Sequence, residues 1–418
     1  MTIDGLNTFL KSKHPEVYTN KHISYFSFKI VAFDISSYIF KYMSSYGKER
    51  WLMGMLNLFL LFKKHAVHVI PIFDGKAPKE KQEEQQDRRE NRNKSEENLL
   101  EIRISLDRYK NHNIVDNVLI KAMEKAKAKF SKVSLLRKTN SKDEENTKID
   151  VNLIEKLIDQ RDKNQFDITK EDISSLKQFL NVFKIPYLEA PDEAEALGCY
   201  LVNTQKAYAI LSLDSDCMAY KTDRIINELN VTTGDCSVIF MDDLLGQLEF
   251  ETPEQVTDFC IICGNDYNRY SKAVSKVGPV NAKNLIIKYK SIEEIRKNDK
   301  RFQLEDDGLL TERCRELFSL KYPNITNNLY WDTNIDYTEI YNFFNKRRLV
   351  IDLDKIKTLW KPINISFEDY EEIEENTNNM ENTNNTETIN EIKNSKDSNE
   401  DSNEDNNQDN SQETENIE

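Results

Sequence analysis

The sequence predicts an α/β fold: a three-layer α/β/α core around a mainly parallel sheet. Three observations lead there. Four short apolar runs have strand length, three of them run directly into an aspartate, and helical patterns separate them. In chain order the runs are Lys29 to Asp34 (KIVAFD), His68 to Asp74 (HVIPIFD), Pro186 to Glu189 (PYLE) and Tyr208 to Asp214 (YAILSLD). Leu52 to Lys64 is apolar enough for a helix that covers a sheet, and Glu193 to Asn203 reads as another. Strands alternating with helices imply right-handed crossovers and parallel pairing. Ligands of such sheets bind beyond the carboxyl ends of the strands, where these aspartates fall.

Between Lys76 and Lys184 the chain is dominated by Lys, Glu, Asn, Gln and Arg, with apolar residues at helical spacing in Val151 to Ile158 and Ile173 to Phe183. This pattern predicts helices standing off the sheet, interrupted by a weakly ordered loop around Thr139 to Lys148. A second helical region is expected from Thr252 to about Lys361. From about Phe367 almost nothing apolar remains, so the tail cannot bury enough surface to order itself.

Charge is unevenly placed. The net charge is −15, but 18 acids and only 2 bases lie from Glu368 onward, which leaves 56 bases and 55 acids before it. If several body acids share one site, the remaining surface is net basic and suits a nucleic acid. Six cysteines (Cys199, Cys217, Cys236, Cys260, Cys263, Cys314) lack the dense spacing of a disulfide scaffold, so a reducing compartment is expected. Cys260 and Cys263 form a C-x-x-C without a partner pair, which favours a buried helical face over zinc. No run of 18 apolar residues and no cleavable leader is visible, so neither a membrane span nor secretion is expected.

Seven acids stand out. Asp34 and Asp74 end strands; Glu193 and Glu195 lie in APDEAEALG at the start of a helix; Asp214 and Asp216 are two apart in LSLDSDC; Asp266 lies in CGNDY. Each has a plain structural reading. Asp34 can cap the following helix, Asp192 with Glu195 fits a capping box, and Asp74-Gly75 can be a turn. Together they suit hard divalent cations such as Mg²⁺, which take oxygen ligands, and two-metal phosphodiester hydrolysis, which needs ions bridged by carboxylates.

The segments GLNTFLK, IVAFDISSYIF, PIFDGKAPKEK, PYLEAPDEAEA, LSLDSDC, CIICGNDY and VGPVNAKNLIIKYKSIEEI, in that order, resemble the XPG family of structure-specific nucleases, and the flap endonucleases in particular. The match spans two blocks, about residues 1 to 94 and 184 to 297, and the charged spacer and missing eukaryotic tail signals look like the divergent copies carried by large DNA viruses such as iridoviruses. The resemblance implies that Asp34, Asp74, Glu193 and Glu195 bind a first Mg²⁺ and Asp214, Asp216 and Asp266 a second, with Mn²⁺ able to substitute. It further implies that Lys81 and Arg88, which follow Asp74 by 7 and 14 residues, contact the scissile phosphate. Arg89 and Arg92 would touch phosphate less specifically. Phe40 would stack on a base, with burial in the core as the competing reading.

Val277-Gly278-Pro279 before an apolar helix resembles the family's helix-three-turn-helix, in which Gly278 and Lys283 would meet a duplex phosphate and K⁺ would help bridge. Lys276 stands where a glycine is usual, and Thr2 replaces the usual second-residue glycine.

The expected organisation is a nuclease region over 1–98, a charged helical arch over 99–183, an internal nuclease region with the helix-three-turn-helix over 184–300, a helical extension over 301–366 and an acidic Asn-rich tail over 367–418. The expected activity is metal-dependent cleavage of 5′ flaps or branched DNA, with 5′-3′ exonuclease activity, in replication, recombination or repair. The alternatives are a 5′-3′ exoribonuclease and a non-catalytic nucleic-acid-binding relative. DNA is the expected partner and the nucleus the expected compartment. A monomer is expected, and no sliding-clamp peptide is visible, since nothing aromatic follows Tyr370.

Overall fold

The computed structural model describes residues 3–130, 149–162, 166–268, 277–300, 310–319, 321–322, 331 and 334–360. Among the described residues seven strands form one sheet: β1 (Thr19–His22), β2 (Ile30–Asp34), β3 (His68–Phe73), β4 (Leu188–Glu189), β5 (Ala209–Leu211), β6 (Arg224–Leu229) and β7 (Asp235–Phe240), in the order β1-β7-β6-β5-β2-β3-β4. The four runs expected as strands are β2, β3, β4 and β5, and they pair parallel, as does β5 with β6. The β6–β7 and β1–β7 pairs are antiparallel, so the sheet is parallel over five strands and antiparallel at one edge. After β2 the chain moves outward through β3 and β4, then returns to the other side of β2 as β5. The crevice where direction reverses therefore opens above β2 and β5.

The helices are α1 (Leu6–Lys13), α2 (Ile35–Tyr46), α3 (Trp51–Lys64), α4 (Gln82–His112), α5 (Asn117–Phe130), α6 (Val151–Asp162), α7 (Lys170–Val182), α8 (Ala194–Asn203), α9 (Asp216–Ala219), α10 (Met241–Leu248), α11 (Pro253–Cys263), α12 (Pro279–Tyr289), α13 (Ile292–Asn298), α14 (Thr311–Leu317), α15 (Tyr337–Asn345) and α16 (Leu353–Leu359). β2 and β3 are buried at every position, as strands covered on both faces must be. α3 packs its apolar length on one face of the sheet, together with α2, α7, α15 and α16, in one continuous core. Within it Phe183 lies against Trp360 and Phe344.

Two expected boundaries shift. The one at 98/99 falls inside α4, which runs unbroken for 31 residues because its sequence holds no Gly or Pro. α7, expected in the arch, belongs to the main core instead: Leu176, Phe179, Leu180 and Phe183 are fully buried there, and its start is fixed by a Thr169–Asp172 capping box. What stands apart is a three-helix cap. α4, α5 and α6 enclose their own apolar centre of Leu99, Ile102, Leu106, Leu119, Ala122, Met123, Ile154 and Ile158. The loop expected around Thr139 to Lys148, the turn around Lys276, Thr2 and the tail lie outside the described residues.

Candidate active site

The ends of β2, β3 and β5 deliver the acids to one cleft. It measures ≈ 320 Å³ and is lined by Asp34, Asp74, Lys81, Arg88, Glu193, Glu195 and Asp214 among others. Asp216 and Asp266, 1% and 0% exposed, lie deeper beneath it. Asp34 holds two positions at once. Its Oδ1 caps α2 by accepting the Ser36 N–H at 3.2 Å, and its Oδ2 accepts the Ser212 hydroxyl at 2.9 Å. Asp74 likewise accepts the Ala194 N–H at 2.9 Å and so caps α8 from a different segment. The cap expected of Asp34 therefore forms, whereas Asp74 and Gly75, expected as a turn, form none, and Asp74 serves α8 instead. The capping box with Glu195 does not form: Glu193 is the N-cap, and Asp192 accepts the Glu193 N–H at 2.8 Å instead.

Gly75 makes this crossing possible. Its N–H meets Asp192 O at 2.6 Å, and a Cβ there would stand 2.0 Å from Ala190 O, so only glycine lets the β3 and β4 loops touch. The contact sets Asp74 against α8 and the two glutamates.

Lys81 lies among the acids. Its ammonium is buried, bonded to Glu193, and 3.3 Å from Asp266 and 3.7 Å from Glu195. Burial alone would lower its pKa, but Glu195, Glu193, Asp216 and Asp266 outweigh that and hold it above the ordinary lysine value. Arg88, one to two turns up α4, reaches Asp266 at 3.1 Å and is braced by the buried Glu84. The two cations thus share the face expected from their spacing. The carboxyls are strained in the opposite sense. Burial, then the charges of Asp74 and Asp214, raise Asp34 to about 7. Burial and neighbouring acids push Glu195 and Asp216 well above the carboxylate range, and burial raises Glu193 against the pull of Lys81.

The donor set fits a hard divalent cation. Every candidate ligand is a carboxylate, and both oxygens of Asp216 are buried without a hydrogen-bond partner. Among the described residues no three His, Cys, Asp or Glu side chains close on a single point as a finished cage; the acids are gathered around a cleft that Lys81 partly neutralises.

The outer groups divide. Phe40 is not in the core: it is 49% exposed on α2, its ring 5.2 Å from Phe166. Arg89 is exposed, and Arg92 pairs with Asp167. Gly278 caps α12 with open space where a Cβ would be. Lys283, expected to face DNA, is mostly covered, its ammonium 2.9 Å from Glu249 across on the α10 side. The K⁺ expectation rests on the stretch around Val277-Gly278-Pro279, of which Lys276 and residues 269–275 before it lie outside the described residues. Cys260 and Cys263 are buried on α11, as the helical-face reading expects. Among the described residues no helix is long and apolar enough to cross a membrane.

Sequence reasoning missed several groups. Tyr267 donates to Glu193 Oε2 at 2.5 Å and meets Tyr220 at 2.9 Å between the hydroxyl oxygens, a buried pair that orients the glutamate. Glu84 and Ser212 act similarly on Arg88 and Asp34. Their only signal was adjacency: Tyr267 follows Asp266, and Ser212 precedes Asp214 by two.

Models of the XPG N-terminal domain and the XPG I-region match residues 1–95 and 184–266, the two blocks that supply every acid of the cleft. The chain belongs to the XPG family. Its relatives include a probable RAD2-like endonuclease 369L of Invertebrate iridescent virus 6, 28% identical over 94% of this chain and 99% of that protein. A second, 076L of Invertebrate iridescent virus 3, is 29% identical over 82% and 93%. Flap endonuclease 1 of Branchiostoma floridae is 34% identical over 39% of this chain and 43% of its own length. Among solved structures, the catalytic core of Rad2 in complex with DNA substrate superposes with a TM-score of 0.56 at 15% identity, covering 85% of this chain and 98% of that one. At that identity the likeness shows the nuclease-core fold. As an XPG-family member the chain is a structure-specific DNA nuclease.

Proposed function

We propose that this nuclease is a divalent-metal-dependent endonuclease that cuts 5′ flaps or related branched DNA, with 5′-3′ exonuclease activity, in replication, recombination or repair in the nucleus. The observation that supports it most is the convergence of seven acids with Lys81 and Arg88 at the crevice above β2 and β5.

Asp34, Asp74, Glu193 and Glu195 on one side, and Asp214, Asp216 and Asp266 on the other, would hold two Mg²⁺ or Mn²⁺ ions. Bound there, the ions would lower the pKa of a water for attack on phosphorus and stabilise the leaving oxygen. The protein supplies the rest. Lys81 and Arg88, now turned toward the acids, lie where a phosphate entering the cleft would meet both, drawing their charge from Asp266 onto the anion. Tyr267 fixes one oxygen of Glu193. Ser212 and the N-terminus of α2 fix the two oxygens of Asp34, so the cleft is ordered before substrate arrives. No side chain need act as nucleophile. Phe40, exposed on α2, would stack on a base near the cut. K⁺ at the turn before α12 and a monomeric state complete the proposal.

Cleavage of end-labelled 5′-flap, 3′-flap, bubble and single-stranded DNA and RNA in Mg²⁺ tests it, with Asp214→Ala alongside. Selective cutting of the 5′ flap that the variant abolishes is expected. Equal activity in the variant, or preference for RNA ends, overturns the reading.

A further inference from the structure

The end of the sheet opposite the cleft carries an aromatic and basic cluster that the nuclease reading does not use. There the first residues of β2, β5 and β6 meet a single 3-10 turn, Ile23–Phe26. Phe26 is fully buried and closes the core, but its neighbours Tyr25 and Phe28 are 44% and 58% exposed. Phe28 also has φ +61°, a left-handed backbone that a bulky residue adopts at a cost, pinned by its N–H to Ala66 O at 2.7 Å. An asparagine or glycine would sit there without strain. Folding alone gives no reason to hold a phenyl ring in solvent at such a position.

Cations ring these aromatics. The Lys21 ammonium is 4.8 Å from the Tyr25 ring, the Lys29 ammonium 5.0 Å from the Tyr208 ring, and the Arg224 guanidinium 4.2 Å from Tyr208 on the same cluster. Tyr25 and Tyr208 share a hydroxyl contact at 3.3 Å. Asp223 beside Arg224, and Asp242 and Asp243 at the start of α10, are acids of this end, and Glu228 and Asp235 line the pocket that also holds Lys21. Asp243 already accepts the Thr19 hydroxyl at 3.2 Å. Exposed flat rings interleaved with Lys and Arg are what a single nucleic-acid strand needs: a π-face for each base, whatever its identity, and positive charge for the phosphates.

We propose that this end of the sheet is a second nucleic-acid contact, where bases of a single strand stack on Tyr25 and Phe28 while Lys21, Lys29 and Arg224 meet its phosphates. It lies at the amino ends of the strands whose carboxyl ends carry the acids. It requires neither the acids nor a metal, so it can hold a strand that the cleft is not cutting.

Binding of a fluorescein-labelled oligothymidylate about twenty nucleotides long to the full chain, by anisotropy in EDTA, tests this against Phe28→Asn and Tyr25→Ala. Asparagine tolerates the left-handed backbone, so Phe28→Asn keeps the fold and its melting temperature holds or rises. The expected result is affinity about tenfold weaker for each variant and weaker still for the pair. Affinity within about twofold of wild type for a folded Phe28→Asn would overturn the proposal and leave the strand bound elsewhere. If Tyr25→Ala fails to fold, Phe28→Asn alone decides.

Discussion

Asp216 is the residue whose state the fold explains least. It is 1% exposed, neither oxygen has a hydrogen-bond partner, and Asp214 and Asp266 add like charge to the burial. A buried carboxylate left in this condition costs stability. Replacing it by Asn removes the charge at nearly constant shape. The metal-free melting temperature of Asp216→Asn is therefore expected to rise, by about 2–4 °C, while the upward shift on adding Mg²⁺ shrinks; calorimetry with and without the ion checks both. A fall in the metal-free value would show that the carboxylate contributes to folding. The same acids set a pH dependence. Asp34 is raised to about 7 by burial, then Asp74 and Asp214, and Glu195 and Asp216 are raised further. A carboxyl raised in the folded state binds protons more tightly there than when unfolded. Its stabilising effect is present in full below the unfolded value near 4 and is lost as pH rises through about 7. Metal-free protein should melt lower at pH 8 than at pH 5, with Asp34→Asn flattening the slope; a melting temperature that climbs over that range would contradict it.

Among the elements, the α4–α6 cap folds on contacts of its own. Leu119 is fully buried in its centre, so Leu119→Ala should cost about 2–5 kcal/mol locally. Hydrogen exchange is expected to accelerate in α4, α5 and α6 while β2, β3 and β5 keep their protection; loss of protection in the sheet as well would show one cooperative unit. Which elements were legible from sequence follows from their patterns. β2, β3 and β5 were visible because buried parallel strands are continuous apolar runs ending at an aspartate. β6 and β7 were not, because RIINEL and DCSVIF form neither a continuous apolar run nor a strict alternation. The turn between them did carry a signal in TTG, with Gly234 at φ +84°. α7 was assigned to the arch because charged neighbours surround it, although its apolar stripe alone marks a core helix. The acids of the site were readable as strand-end aspartates and a two-residue pair. Tyr267 and Glu84 were not, since a lone tyrosine or a glutamate in a charged helix has no distinguishing pattern until the fold brings it to a partner.

For the whole molecule, charge separates along the chain: 18 of the acids and 2 of the bases lie beyond residue 367, and the body is close to neutral with seven acids spent in the cleft. Ending the chain at Phe367 should therefore strengthen binding to duplex DNA at low salt, with the gain fading as salt shortens the range of the field to a few ångströms. Equal affinity of the two forms in a salt series would show that the tail's charge is not felt. One last consequence concerns Asp34 and Asp74, each of which accepts a backbone N–H at the start of a helix. On the proposed mechanism, catalysis and folding ask for the same atoms there. In a descendant that had abandoned cleavage, the need to fold would by itself retain both aspartates, whereas nothing in the architecture would defend Asp216. The identity of position 34 or 74 in such a protein reports only shared ancestry of the scaffold; position 216 reports whether the scaffold still works.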